Sequence, residues 1–328
     1  MVRYIIKRVV YMLPTLFAAS IICFWVIQLP PGNYLTAMAA AMAQQGDAVD
    51  NATLAALKLR YGLDEPIYVQ YWKWISRIVF EGDFGQSFEL NRPVSALIWD
   101  RLLLTLALTV SSLMFIWAVA FPTAIVSAIK KYSILDYVLT FAAFIGLALP
   151  NFLIALVLMF ISIKYFGHSV GGLFSPDYAD APWSFGKFAD FLQHLWIPMI
   201  VLGTAGTGAL VRLLRANLLD EMGKPYVMTA RAKGLGEVRL FIKYPLRVAL
   251  NFFVSSQNNL LMHLISGGTI VAIVLSLPTT GPLLMRALVA QDTYLAGSFL
   301  LMMAVLNVIC TLLSDLALAA LDPRVRFS

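Results

Sequence analysis

Runs of about 20 apolar residues restrict this chain more than any other feature, because at 1.5 Å per residue such a run spans the hydrocarbon core of a bilayer. Six of them are found, at Val9–Leu29, Leu102–Ala128, Tyr137–Ile163, Leu195–Val211, Val248–Leu277 and Ala296–Leu321. Composition agrees. Of 328 residues 60% are hydrophobic and 13% charged, against about 25% charged in soluble domains. The expected fold is an all-α integral membrane protein with six transmembrane helices.

Lysine and arginine placement orients these spans. The segment before the first span, Ile129–Asp136, Arg212–Arg247 and the C-terminus hold fifteen of the 24. The opposite loops hold fewer over a greater length, so both termini and the 212–247 loop are expected in the cytoplasm. The first span follows Arg3, Lys7 and Arg8 and resembles a secretory signal, with Ala37-Met38-Ala39 as a cleavage site. Its apolar run is too long for a signal and that site lies well beyond its end, so it reads as an uncleaved anchor. The chain then divides into residues 1–101, an anchor helix with a long outer loop, and 102–328, a transmembrane core carrying the cytoplasmic loop 212–247.

Several chemistries are missing. Cys23 and Cys310 lie inside apolar runs, and His168, His194 and His263 are far apart, so neither a disulfide framework nor a metal-ligand spacing is present. The net charge of +6 follows membrane topology and points to no nucleic acid. No G-x-x-x-x-G-K-[ST] loop occurs, so ATP is not bound by that means. Gly167-His168-Ser169-Val170-Gly171 matches G-x-S-x-G, but it follows a membrane span and lacks the strand–turn–helix setting of a nucleophile elbow. An intramembrane hydrolase would depend on Ser169. Asp315 is the clearest ionisable residue within a span, near one end of the last helix. That is thin support for an ion-coupled secondary transporter, the main alternative, which would place charges at mid-membrane.

The outer loop is expected to contain a helix at Ala52–Tyr61 and a second one opened by Pro66, with Val69, Trp72, Ile75 or Ser76, and Val79 on one face. Its aromatic cluster suits a membrane interface or a docking surface for a binding protein. Leu149-Pro150-Asn151-Phe152 predicts a kink in the third span, and Lys164–His194 reads as irregular. Gly203, Gly206 and Gly208 in the fourth span predict close helix packing. In the fifth span Ser255, Asn258, Asn259, Met262 and Ser266 share one face, with Gln257 adjacent. Two readings stay open for this face, interhelical hydrogen bonding or the lining of a translocation pathway.

The most informative stretch is Tyr226–Arg247. Tyr226, Ala230 and Lys233 recur at i, i+4 and i+7 with Thr229 beside them, and Gly234 and Gly236 stop the helix. Tyr226, Thr229-Ala230-Arg231-Ala232-Lys233-Gly234-Leu235 and Leu246-Arg247 resemble the cytoplasmic coupling loop of ABC importer permeases of the dipeptide/oligopeptide family. The resemblance extends to Pro31-Gly32, Arg60–Pro66, Gln70-Tyr71, Gly82–Ser87, Arg92-Pro93-Val94 and the terminal Leu321–Arg326. Met228 stands where broader importer permeases carry a glutamate, and Asn33 where the family often has aspartate.

This resemblance implies a type I importer permease in a bacterial inner membrane. It implies a second, usually unlike permease, two ATP-binding subunits that hold ATP and Mg, and a solute-binding protein. The coupling helix would dock into a cleft of the ATP-binding subunit, and the permease itself would be no enzyme and hold no cofactor. The family carries di- and oligopeptides, with relatives that move oligosaccharides, opines or nickel. Tyr244–Asn251 looks somewhat closer to the sugar-carrying branch.

Overall fold

A computed structural model of the chain describes residues 2–29, 65–166 and 171–321. The expected helix Ala52–Tyr61, Ser169 and the terminal Asp322–Arg326 lie outside them. Every regular element among the described residues is a helix. Gln86 and Pro93 add an isolated bridge.

Among the described residues four helices are long and apolar enough to cross a membrane: α1 (Val2–Gln28), α3 (Val94–Ile129), α7 (Phe185–Met222) and α13 (Thr293–Leu321). The third expected span differs from its prediction. In place of a kinked helix there are two, α4 (Ile134–Ala148) and α5 (Asn151–Ile161), bent by 100° to one another. Leu149, the residue before proline, is extended with ψ 132, and Pro150 restarts the chain as the cap of α5. The proline ring clashes with a helical predecessor, so the preceding turn cannot continue through it. Counting the bent pair as one crossing gives five. The remaining run, Val248–Leu277, forms α10 (Pro245–Gly267) and α11 (Thr269–Val274), broken at Gly268. Ser255, Ser256, Gln257, Asn258 and Asn259 lower the hydropathy of α10, which is not among the helices apolar enough to cross.

The chain forms two compact units. One comprises residues 104–278 and 310–328. Its core joins Ile116 and Ala120 of α3, Val201, Leu210 and Leu214 of α7, and Phe253 and Leu264 of α10. Gly208 of α7 lies so close to α4 that a Cβ there would collide with the Ala143 carbonyl oxygen, a backbone atom that cannot give way. Gly203 and Gly206 meet the side chains of Phe115 and Ile116 on α3 in the same manner, which agrees with the small-residue packing read from their spacing. The segment 171–194, expected to be irregular, is largely ordered: α6 (Pro176–Ala179) precedes α7, which starts at Phe185. Lys187 and Asp190 account for the difference. Lys187 Nζ donates to the Ala179 and Ala181 carbonyls at 3.3 and 2.6 Å and sits 4.8 Å from the Phe174 ring centroid. Asp190 accepts from the Ser175 N–H at 2.7 Å and from its hydroxyl.

The other unit comprises residues 1–103 and 279–309. Here α2 (Ile67–Ser76) packs on α1 through Tyr71 and Trp74, whose ring centroids lie 5.5 and 5.6 Å from Phe24. This corrects the expected apolar face. Trp72 and Val79 are exposed, and Trp74 is the buried indole. A helical wheel groups the residues but cannot say which of two aromatic stripes meets α1. After α2 the segment 82–93 is held by Asp292, which caps α13. Its carboxylate accepts from the Ser87 hydroxyl at 2.6 Å, the Glu89 N–H at 3.2 Å and the Leu295 N–H at 3.1 Å.

Gly208→Val tests the α4–α7 contact. Overpacking of this kind costs about 1–3 kcal/mol, so the purified protein should unfold at lower temperature in detergent, whereas Gly223→Ala, whose Cβ would meet only ordinary contacts, should not. Equal melting of both would show that the close approach is not a constraint.

Candidate coupling hairpin and polar helix face

Beyond Met222 the chain turns at Gly223 and enters α8 (Pro225–Ala232). Pro225 occupies the first helical position, where its missing N–H is no loss. The other end is closed by a Schellman motif. The Gly234 N–H donates to the Arg231 carbonyl at 2.9 Å and the Leu235 N–H to the Ala230 carbonyl at 3.3 Å, with Gly234 at φ +81. A side chain is disfavoured at that φ, and nothing else lies within 4 Å of where a Cβ would sit. The backbone alone therefore favours glycine here. A second helix, α9 (Glu237–Lys243), then folds back.

A small core closes the hairpin. Val227, Ala230 and Leu240 are buried against one another, with Leu235 and Tyr244 at their edge. The Tyr226 and Tyr244 rings lie 5.8 Å apart. Tyr226 donates its hydroxyl to Glu221, and burial together with that carboxylate pushes the phenol up to about 12, so it remains a donor. Thr229 Oγ1 donates to the Pro225 carbonyl at 2.9 Å, and Arg231 clasps Glu237 with two bonds of 2.6 and 2.9 Å. Both partners of that pair are well exposed, where an ion pair contributes little.

The expected grouping of Tyr226, Ala230 and Lys233 as one presented face needs correction. Ala230 points inward, into the hairpin core, because Leu240 returns over it. The surface turned to solvent carries Tyr226, Met228, Thr229, Arg231, Ala232 and Lys233. It continues onto α9, where Val238 is 76% and Ile242 58% exposed beside the exposed Arg239 and Lys243. Sequence reasoning did not single out Val238 and Ile242. Their i, i+4 spacing on a short basic helix was the available signal.

In α10 the polar residues separate into two roles. Gln257 is buried, donating to the Phe253 carbonyl at 2.8 Å and accepting from Trp117 Nε1 of α3 at 3.0 Å. It is the interhelical bond. Ser255, Asn259 and Ser266 are exposed, Asn258 and Met262 half-buried, all on the face expected from spacing. Ser255 and Ser266 return their hydroxyls to their own helix, at Asn251 O (2.9 Å) and Met262 O (2.6 Å). Asn258 Oδ1 is buried and accepts no hydrogen bond. Four membrane-length helices, or five crossings with the bent pair counted as one, a basic helical hairpin at the end of one of them and a polar stripe on α10 are thus found together among the described residues. Among the described residues no group of three His, Cys, Asp or Glu could hold a metal.

Comparison with known proteins agrees with this description. The family model described as "binding-protein-dependent transport system inner membrane component" matches residues 120–327, and the model for the N-terminal part of such membrane components matches residues 1–109. The chain belongs to this family. It is 34% identical over 329 residues to the oligopeptide transport system permease protein AppB of Bacillus subtilis (strain 168), with both chains covered completely. It is 30% identical over 329 residues to the glutathione transport system permease protein GsiC of Escherichia coli (strain K12), again over the whole of each. The fold matches a solved inward-facing structure of the MetNI methionine ABC transporter, with a TM-score of 0.53 at 16% identity, covering 70% of this chain and 96% of that one. The permease is thus a multi-pass inner-membrane component of an ABC transport system.

The inward position of Ala230 is testable. Ala230→Glu places a carboxylate in the hairpin core, where an unpaired charge is poorly tolerated. Amide exchange over residues 225–243 should rise while exchange in α10 stays unchanged. Ordinary protection of the hairpin in this variant would place Ala230 on its surface.

Proposed function

We propose that this permease is one of two that together form a pathway for peptides, driven by ATP hydrolysis in separate subunits seated on the α8–α9 hairpin. One observation carries this reading. The hairpin is closed internally by Val227, Ala230 and Leu240, yet still exposes Met228, Val238 and Ile242 among basic residues. An apolar surface without a role is a liability, so exposed clusters of this kind mark sites of protein contact. In this reading Tyr226, Thr229, Arg231, Ala232 and Lys233 contact the ATP-binding subunit. Ala230, Gly234 and Leu235 shape the hairpin that presents them. Both termini and the hairpin face the cytoplasm, in keeping with the lysine and arginine bias.

The polar face of α10 (Ser255, Asn258, Asn259, Met262 and Ser266) lines the pathway, with α10 and α11 completing a sixth crossing. The unpaired Asn258 Oδ1 supports this, because a buried amide oxygen without a donor needs water, a substrate or a neighbouring subunit. The second permease and a solute-binding protein complete the assembly. Two relatives matched over their full length, one named for oligopeptide and one for glutathione transport, favour a peptide substrate. Nothing supports the oligosaccharide reading of Tyr244–Asn251. A secondary transporter is disfavoured by family membership.

The test uses Gly234→Val and Gly234→Asn in the complex co-expressed with its ATP-binding subunits. Valine at φ +81 strains the hairpin by roughly 1 kcal/mol or more, whereas asparagine tolerates that region. Valine should lower ATPase co-purification and abolish coupled ATP hydrolysis, with insertion intact. Asparagine should largely preserve both. Cysteine replacing Gly186 should react with an impermeant thiol reagent from outside, and cysteine at Gly236 should not. Full coupling in Gly234→Val, or equal outside labelling of both cysteines, would contradict the reading.

A further inference from the structure

Helix α7 runs directly into the hairpin, so any displacement of α8 first moves the end of α7. At that end Arg215 is held sideways. Its Nε donates to Asp136 Oδ1 at 2.9 Å and to Ser127 Oγ at 3.2 Å, and its Nη2 donates to Asp136 Oδ2 at 2.7 Å. Asp136, 1% exposed, also accepts from the Ser127 hydroxyl, the Tyr132 N–H at 2.9 Å and the Thr140 hydroxyl at 3.2 Å. Through these bonds α3, α4 and α7 are joined at one level. Next to this knot, Leu218 of α7 packs with Ala128 of α3 and Ala249 of α10, and Phe241 of α9 lies against them. The hairpin therefore touches the same block by two routes, along α7 and through α9.

We propose that the Asp136–Arg215 pair is a positioning element for energy coupling, which makes α3 and α4 follow the hairpin when it moves. The inference rests on the coupling role given to the hairpin above. A buried ion pair adds little net stability over apolar packing, because its desolvation offsets its attraction. What it adds is direction. Two parallel N–H···O bonds fix both the separation of α7 from α4 and the rotation of α7 about its axis. Packing at Ala128, Leu218 and Ala249 involves small or aliphatic groups that can slide, whereas the fork cannot slide without breaking. Lysine keeps the charge but not the planar fork, so Arg215→Lys removes the direction while leaving the charge balanced.

The experiment uses the full complex with its partner permease and ATP-binding subunits, with Cys23→Ser and Cys310→Ser. A bimane label on Leu149→Cys, at the far end of α4 from Asp136, reports motion, and ATP with orthovanadate is the probe. In the parent complex, vanadate trapping should shift the bimane emission. In Arg215→Lys the complex should assemble and trap nucleotide, but the shift should shrink roughly tenfold, within the range of coupling between two sites. Ser127→Ala, which deletes only the bridging hydroxyl, should shrink it less. An undiminished shift in Arg215→Lys overturns the proposal. So does a variant that assembles poorly but responds normally in its assembled fraction, which would make the pair purely structural. Should Arg215→Lys yield no complex, Ser127→Ala decides, and an undiminished shift there overturns it. If the parent complex traps vanadate without any shift, this inference fails alone. If the parent forms no complex with ATP-binding subunits, the coupling reading itself fails.

Discussion

A backbone in hydrocarbon has no water to bond, so each N–H and C=O must be satisfied within its own helix or by a neighbour. The architecture of this permease follows from that requirement. Helices α1, α3, α7 and α13 run unbroken for 27, 36, 38 and 29 residues. At two interruptions another group takes over. Leu149 donates to the Ile145 carbonyl before the chain turns at Pro150. At the end of α11 the Leu277 N–H closes on the Ala272 carbonyl at 2.7 Å, and the Leu275 carbonyl accepts from the Gly172 N–H at 2.8 Å. The same rule makes polar side chains informative. Gln257 is bonded to Trp117 and Phe253 and is explained by packing, whereas Asn258 Oδ1, on the next residue, has no partner.

The hairpin follows a different constraint, since it must be stiff without a large core. Eight residues of α8 and seven of α9 are too few to be stable helices alone. Their stability comes from the buried Val227–Ala230–Leu240 contact and the Schellman closure at Gly234. A stiff projection can transmit displacement. A flexible loop with the same charge could bind a partner but not move what stands behind it. Connection of α7 to α3 and α4 through Arg215 extends that stiffness into the membrane helices.

How much of this was legible in the sequence depended on range. Local features read well. Gly234 marked the end of α8, glycine spacing in α7 marked its close contacts, and polar spacing in α10 grouped the residues of its polar face. Orientation around a helix axis read poorly. Periodicity placed Tyr226 with Ala230, but whether that stripe turned outward depended on where Leu240 returned. Likewise periodicity put Trp72 on the marked face, whereas contact with Phe24 buries Trp74. Non-local charge pairing could not be read at all. Asp136 and Arg215 are separated by 79 positions, and each looked like an ordinary residue of a positively biased loop. The third span showed its proline but not the 100° turn, because the size of a break depends on what packs beyond it.

In the proposed coupling, the exposed face of the hairpin seats an ATP-binding subunit. Site-specific photocrosslinking in native membranes from Met228, 56% exposed on α8, addresses this most directly, with Val289, 74% exposed at the end of α12 (Thr280–Val289), as the comparison. Met228 is expected to crosslink to the ATP-binding subunit in high yield, and Val289 is not. A Met228 probe that labels only lipid, or that captures the subunit no better than Val289, would contradict it.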